Sequence, residues 1–342
     1  MAATALSSTS SSRKMKHTRL FTLIVLSSVA LYAAVGFYFL PLATFTGPLT
    51  RMGMMPESLF GWTKEQPTVK AELLVNASWQ EADVLAIGDS FSMPHLWQSV
   101  LVERGIKVHT ETWESMRNIC EDFSGWLDQK GFRGRHVVIE VVEHNFEDRL
   151  SRSLHCKKMD YHPMTELPVT PPLQQLPRAT ANLSGKLSIG IQTRLNILTY
   201  QKLIARTDFS TWNMSNTVRM NRVSNGCELF SHAQCRDVLF FADDHVTDFS
   251  EQTLNDMKTI NQRMSKVHPV WVVVPDKSTA YLHPDKQFWN KAENDLHAPN
   301  VLQVLRKAIS NKTIDLYPAN ETHLSTAGYL ILGNVIHQSL QP

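Results

Sequence analysis

The sequence predicts an α/β fold, a three-layer sandwich with a central parallel sheet, preceded by one N-terminal transmembrane helix. Two observations support this prediction. A charge-free apolar stretch lies near the N-terminus, and short β-branched runs then alternate with amphipathic stretches. About 300 residues follow the apolar stretch, which is enough for one sizeable α/β domain.

The apolar stretch, residues 20–40, is long enough to cross a bilayer as one helix. It is too long for a typical signal peptide and no small-residue cleavage site follows it, so we expect an uncleaved anchor. Four basic residues precede it: Arg13, Lys14, Lys16 and Arg19. The positive-inside rule therefore predicts a cytoplasmic tail at 1–19 and a periplasmic domain, anchored by a single pass in the inner (cytoplasmic) membrane.

Charge and cysteine content agree with export. The formal net charge is +2, and removing the four basic residues of the tail leaves −2, so no broad basic field indicates a nucleic-acid partner. All four cysteines follow the anchor, where disulfides are plausible. Cys227 and Cys235 are the favoured local pair, although four cysteines allow three connectivities. Their spacing fits no zinc motif, and we expect neither metal nor cofactor.

The alternation assigns elements in order. Short β-branched runs predict strands at 84–87, 107–110, 137–142, 270–274 and 314–316. Amphipathic spacing predicts helices at 93–103, 117–129, 249–267, 301–310 and 326–340. Such an order implies a parallel sheet that binds ligands at the carboxyl ends of its strands.

Two regions break the alternation. Residues 41–79 form a predicted linker and lead-in, and the main domain then spans 80–342. Within it, residues from about 160 to 235 predict an irregular insertion that shapes the substrate cleft, and its proline-rich part, 163–177, is expected to be non-helical.

A candidate nucleophile and base stand at opposite ends of this domain. Ser90 follows the first strand in the turn Gly88-Asp89-Ser90, and His323 precedes the last predicted helix. A serine on such a turn and a late histidine are typical of a hydroxyl nucleophile and its general base. The chain has 14 histidines, so His323 is distinguished only by its neighbours.

These two segments resemble the first and last sequence blocks of the SGNH hydrolase superfamily, which implies the SGNH or flavodoxin-like form of the sandwich. Residues 138–145 (VIEVVEHN) and 272–281 (VVVPDKSTAY) further resemble the alginate O-acetyltransferase branch. That branch commonly carries Glu-Arg where this chain has Glu143-His144, and it shares the Pro-x-Lys-x-x-x-Tyr pattern. Its members are exported or membrane-anchored and acetylate exopolysaccharide hydroxyls.

The resemblance implies a catalytic group of Ser90, His323 and a carboxylate. The branch usually has Asp two residues before the histidine, where this chain has Glu321. Many SGNH esterases use the position three residues before, which is Asn320 here. An amide cannot stabilise an imidazolium ion as a charge does, so Glu321 is favoured and Asn320 stays open.

Four further residues are assigned to oxyanion stabilisation or substrate binding. Asn145 would join the Ser90 N–H as an oxyanion donor, or else cap a loop. Lys277 and Tyr281 would line the acetyl or sugar site, or else be a surface lysine and a half-buried tyrosine. His144 is the fourth, at the position of the branch's arginine.

Three functions compete. The first is an O-acetyltransferase that acts on a polysaccharide and receives acetyl groups from a multi-spanning membrane acyltransferase, because one helix cannot carry acetyl-CoA chemistry across a bilayer. The second is an anchored carbohydrate esterase or lipase. The third is a non-catalytic glycan-binding component of a secretion system, which the departures at Glu321 and His144 favour. Transfer and hydrolysis differ by acceptor positioning and water exclusion, which a sequence does not show.

Overall fold

The computed structural model describes residues 8–164 and 185–341. It confirms the α/β prediction with a central parallel sheet of four strands in the order β2-β1-β3-β7. A second, antiparallel sheet has the order β4-β5-β6. The strands are β1 (Val84–Gly88), β2 (Val108–Thr112), β3 (His136–Val142), β4 (Thr211–Asn213), β5 (Val218–Arg222), β6 (Asp237–Phe241) and β7 (His268–Val274).

The central strands are apolar because helices cover both faces of the sheet. Every residue of β1 is buried, as are the last six residues of β3. Val84 pairs with Val108 on one side and with His136 on the other, so the carboxyl ends of all four strands lie along one edge. The residues that follow these ends therefore meet at one place on the surface.

The α-helices come from amphipathic segments between and after the strands. They are α1 (Ser8–Phe39), α2 (Pro48–Gly53), α3 (Glu57–Phe60), α4 (Leu96–Glu103), α5 (Trp113–Met116), α6 (Phe123–Lys130), α7 (Phe146–Leu154), α8 (Leu187–Ile204), α9 (Gly226–Leu229), α10 (Glu251–Asn261), α11 (Lys277–Tyr281), α12 (Phe288–Leu296), α13 (Val301–Ser310) and α14 (Thr326–Ser339).

Helices lie on both sides of the central sheet. The connection through α4 runs from β1 to β2 in one direction, and the later connections to β3 and β7 run in the other. Since parallel crossovers are right-handed, α4 lies on one face and α6 and α10 on the opposite face. The last helix, α14, packs against α4, while α7 packs against α10.

The predicted N-terminal span is a single helix that begins earlier than expected. In the part of the chain that the structure describes, α1 starts at Ser8, inside the predicted tail, and residues 17–43 are long and apolar enough to cross a membrane. Side chains such as Phe21 and Leu31 are more than 60 % exposed, as suits contact with lipid.

The lead-in and the insertion both depart from prediction. Leu49, Met55 and Phe60 of the lead-in are fully buried in a second hydrophobic core with residues of β5 and β6, so 41–79 is not a loose tether. The insertion at about 160–235 is not irregular throughout, because α8 buries Ile197 and adds Tyr200 to that core, and the strands β4 and β5 also form there. The proline-rich stretch from 165 onward lies outside the described residues.

Two smaller predictions are wrong. Residues 314–316 form turns instead of a strand, because Asp315 takes the left-handed backbone conformation (φ 54°) and its carboxylate accepts hydrogen bonds from Ser231. The predicted helix 117–129 begins only at Phe123, because Arg117 is also left-handed (φ 59°). The helix predicted at 301–310 has the predicted bounds, and those predicted at 93–103, 249–267 and 326–340 are present but shorter.

All four cysteines are paired. Cys227 is joined to Cys235, which confirms the favoured local pair, and Cys120 is joined to Cys156. The second bridge ties the segment before α6 to the end of α7. Both bridges favour an oxidising compartment.

Candidate active site

Ser90 is exposed on a tightly held turn at the carboxyl end of β1. Asp89 holds that turn: one carboxylate oxygen accepts the Phe91 N–H (2.9 Å) and the other accepts the Val142 N–H at the end of β3 (2.7 Å). A side chain at Gly88 would place its Cβ 2.0 Å from Ser92 Oγ, so only glycine fits there. Asp89 thus joins the turn that bears Ser90 to the neighbouring strand.

A buried carboxyl group supports the turn from below. Glu140 of β3 accepts hydrogen bonds from the Asp89 N–H (3.1 Å) and from Ser92 Oγ (2.7 Å). Ser92 Oγ in turn accepts the indole N–H of Trp97 (3.0 Å). Burial, together with the neighbouring charge of Asp89, raises the pKa of Glu140 well above its ordinary value. The sequence analysis assigned no role to this residue.

The fold brings His323 to Ser90 across 233 positions of sequence. His323 Nε2 lies 2.8 Å from Ser90 Oγ, and Nδ1 lies 3.0 Å from Glu321 Oε1. The ring of Phe91 packs beside the imidazole, with 4.8 Å between centroids. The serine hydroxyl, the imidazole and the carboxylate therefore form a continuous series of hydrogen-bonding contacts, in the order that a nucleophile, its base and an orienting carboxylate require.

The two candidates for the third member occupy different places. Burial alone would raise the pKa of Glu321, but the hydrogen bond and charge of His323, with nearby backbone N–H groups, lower it. The carboxylate is therefore suited to facing the imidazole as an anion. Asn320 instead donates from Nδ2 to the buried carboxylate of Glu57. The geometry favours Glu321, as predicted from its charge.

Lys277 is buried and holds the loop that carries Glu321. Its ammonium nitrogen, which has three N–H donors, lies within hydrogen-bonding distance of four carbonyls: Leu239 (2.8 Å), Pro318 (2.7 Å), Ala319 (3.1 Å) and Glu321 (3.2 Å). Burial lowers its pKa to about 7. Although Lys277 borders the pocket, its charged end is turned to the protein, so its surroundings fit a positioning residue better than the predicted substrate contact or a surface lysine.

A cavity of about 190 Å³ opens beside Ser90 and His323. Asn145 and His144, both predicted for the site, border this cavity. Among the described residues, nothing hydrogen-bonds the side-chain amide of Asn145, so it is available to a ligand. The cavity also has members that the sequence analysis missed: Met52, Phe91, Val142, Phe241, Asp244, Asp276 and Thr322.

His144 forms a second histidine–carboxylate pair on the cavity wall. Its Nδ1 lies 2.6 Å from Asp276 Oδ1, and Asp244 is close by. Burial opposes protonation, yet the hydrogen bond and charge of Asp276, with the charges of Asp244 and Asp89, raise the pKa of His144. Asp276 lies two residues past the end of the strand β7, so the rule that ligands bind at carboxyl ends could have identified it. Met52 carried no such sequence signal.

The same three side chains form the group of potential metal ligands found in the described parts of the chain. Ligand atoms of His144, Asp244 and Asp276 all lie within 4.8 Å of one another. Both carboxylates accept hydrogen bonds from the protein itself. Asp276 accepts from His144 and from the His245 N–H (2.8 Å), and Asp244 accepts from the Ser278 N–H (3.2 Å).

Tyr281 is not brought to this site. It borders a separate cavity with Arg222, Leu229 and Arg306, and its ring packs on Phe230 with 4.9 Å between centroids. The helix α11 begins at the sheet edge but carries Tyr281 away from it within one turn. The predicted substrate contact is therefore not seen, whereas the alternative of a half-buried tyrosine fits its surroundings.

An exposed serine paired with a histidine–carboxylate can form and resolve a covalent acyl-enzyme at this edge of the sheet. The neighbouring cavity offers carboxylate, imidazole and amide groups that can bind hydroxyl groups of a second substrate. Comparisons of the chain with models of protein families, with curated proteins and with solved structures return no match.

Proposed function

We propose that this chain is a membrane-anchored, exported O-acetyltransferase of the SGNH type, which moves an acetyl group through a Ser90 acyl-enzyme onto hydroxyls of an exopolysaccharide. The contact series from Ser90 through His323 to Glu321 carries this proposal. Each step is within hydrogen-bonding distance, and the serine is exposed where a substrate can reach it.

In the first half of the reaction, His323 Nε2 takes the Ser90 proton while Oγ attacks the acetyl carbonyl. The imidazolium then gives that proton to the leaving group of the donor, and acetyl-Ser90 remains. In the second half, an acceptor hydroxyl gives its proton to His323 and attacks the acetyl group. Ser90 regains the proton, and the anionic Glu321 holds the imidazole and stabilises its charged form.

The cavity supplies groups for the rest of the reaction. The Ser90 N–H and the amide of Asn145 would donate to the developing oxyanion. His144 and Asp244, on the cavity wall, would bind acceptor hydroxyls, since together they offer a donor and an acceptor. Lys277 contributes by holding the loop that bears Glu321.

The proposed location follows from the N-terminal helix and the disulfides, and the proposed partners follow from that location. The apolar stretch at 20–40, the basic residues that precede it and the two disulfides support an N-terminus in the cytoplasm and a catalytic domain on the periplasmic side of the inner membrane. A multi-spanning membrane acyltransferase would then supply the acetyl group, and a polysaccharide would accept it.

A second candidate is an anchored carbohydrate esterase, with water as the acceptor. The exposure of Ser90 and the opening of the cavity to solvent favour it, because transfer requires water to be excluded.

One experiment separates these functions. The purified full chain is given an activated acetyl ester with and without short oligosaccharides, and acetylated sugar and free acetate are measured, with Ser90→Ala as the control. A transferase forms acetylated sugar at the expense of acetate. Unchanged acetate release indicates an esterase, and a protein that binds glycans but turns over no ester would be the non-catalytic component.

A further inference from the structure

The helix α8 has an exposed apolar stripe that no other described element covers. Ile191, Leu195 and Leu198 are 40 %, 51 % and 39 % exposed. Their spacing of four and three residues places them on one face of the helix. The opposite face carries Thr193, Ile197 and Tyr200, which are buried. This helix therefore has two apolar faces, and the protein interior accounts for only one.

The position of α8 indicates what lies against the exposed stripe. It packs on the end of α1 and on the turn Leu40–Ala43 that follows it. A Cβ at Gly190 would lie 2.1 Å from the carbonyl oxygen of Phe39, so the two backbones approach as closely as glycine allows. The guanidinium of Arg194 lies 5.9 Å from the ring of Tyr38. The helix is thus attached where the chain leaves the membrane span.

The charges of α8 agree with this position. Its 18 residues include Arg194 and Lys202 and contain no aspartate or glutamate. Lys202 continues the line of the apolar stripe by one further turn. An apolar stripe with basic residues at its margin is the composition of helices that lie in the interface of anionic bilayers.

We propose that α8 is an interfacial helix that lays Ile191, Leu195 and Leu198 on the outer surface of the bilayer that α1 crosses. The partner is lipid, because the stripe adjoins the lipid-exposed surface of the anchor. The proposal rests on α1 being a membrane anchor and is independent of the chemistry at Ser90.

Membrane contact at α8 would also fix the orientation of the candidate active site. The side-chain amide of Asn196 donates to the carbonyls of Gly53 (3.0 Å) and Met54 (3.2 Å). These residues end α2, whose Met52 borders the cavity beside Ser90. Two attachments, α1 and α8, would hold that cavity at one height above the lipid, whereas a single helix leaves the domain free to tilt.

The test measures depth in a bilayer with the full chain. Because the four native cysteines are paired, Leu195→Cys provides one site for a nitroxide label. The labelled protein is reconstituted in vesicles of equal parts phosphatidylcholine and phosphatidylglycerol, and accessibility to oxygen and to a water-soluble nickel chelate is measured. We expect the label about 5–10 Å below the lipid phosphates, with oxygen accessibility dominant.

Matched labels make each outcome decisive. Asn255→Cys, on the exposed face of α10, should be open to the nickel chelate, and Leu26→Cys in α1 should report the lipid core. Ile191→Cys and Leu198→Cys repeat the measurement if Leu195→Cys impairs folding. Nickel accessibility at the stripe equal to that at residue 255 would overturn the proposal. Low accessibility to both reagents would also overturn it, since protein, and not lipid, would then cover the stripe.

Discussion

Glu57 and Asn320 are separated by 263 positions and joined by a hydrogen bond from the asparagine amide to the glutamate carboxylate. A backbone hydrogen bond joins the same two segments, from the Leu49 N–H to the Asn320 carbonyl (3.0 Å). Thr46 and Thr50 also donate to Glu57. The segment that follows the helix α1 is therefore joined to the loop that carries Glu321 and His323.

This connection predicts that substitutions of two adjacent residues affect different properties, stability for one and turnover for the other. Asn320→Ala should lower the free energy of unfolding by about 1–3 kcal/mol, because it removes a donor from a buried carboxylate. Glu321→Ala should lower turnover strongly, although by less than loss of Ser90 or His323, because the imidazole loses its orienting anion. Denaturant unfolding and ester turnover are measured on both variants. A larger loss of turnover in Asn320→Ala than in Glu321→Ala would assign the third position to the amide.

Ser90 and His323 should behave as one unit. Each alanine substitution should lower acetate release from an activated ester on the order of a thousandfold or more, and the double variant should lose little more. Ser310→Ala and His337→Ala, which lie outside the cavity, are the matched controls. Wild-type turnover in Ser90→Ala would refute the catalytic interpretation.

Local patterns predicted the sheet and its edge, because strands buried on both faces need continuous apolar runs and each must end in a turn. The strand ends place Ser90, His144 and Asn145 at that edge. Asp276 lies at the same edge but was not predicted for the site. The contact between Glu57 and Asn320 could not be predicted, since nothing in either neighbourhood specifies a partner 263 positions away.

The direction in which a side chain points could not be predicted from the sequence either. Lys277 and Tyr281 lie four residues apart on α11, yet the first points to the loop at Glu321 and the second borders another cavity. A motif places both near the sheet edge but does not state which way each faces. The strand predicted at 314–316 failed for a related reason, because Asp315 is held by Ser231 from a distant segment.

The two disulfides should differ in their contribution to stability. The Cys120–Cys156 bridge spans 36 positions and the Cys227–Cys235 bridge spans 8. Loop entropy alone predicts stabilisation of about 4 kcal/mol for the longer loop and about 2.5 kcal/mol for the shorter one. Replacing each pair by serines and measuring unfolding by denaturant tests this order. Equal losses would mean that native contacts, and not loop length, dominate.

The pair of His144 and Asp276 predicts a dependence of stability on pH. Asp276, Asp244 and Asp89 raise the folded-state pKa of His144 above its ordinary value of 6.5. Protonation therefore stabilises the fold: the contribution is fully present below pH 6.5 and is lost as the pH rises through the folded-state pKa. Thermal unfolding of the wild type and of His144→Gln is compared across this range.

The difference between the two proteins isolates His144, because the other histidines are common to both. We expect the wild type to exceed His144→Gln most at mildly acidic pH and the margin to shrink toward alkaline pH. An NMR titration of the imidazole should give a pKa above its ordinary value. A margin that stays constant with pH, or that grows as the pH rises, would show that the folded-state pKa of His144 is not raised and that its pairing with Asp276 does not favour the cation.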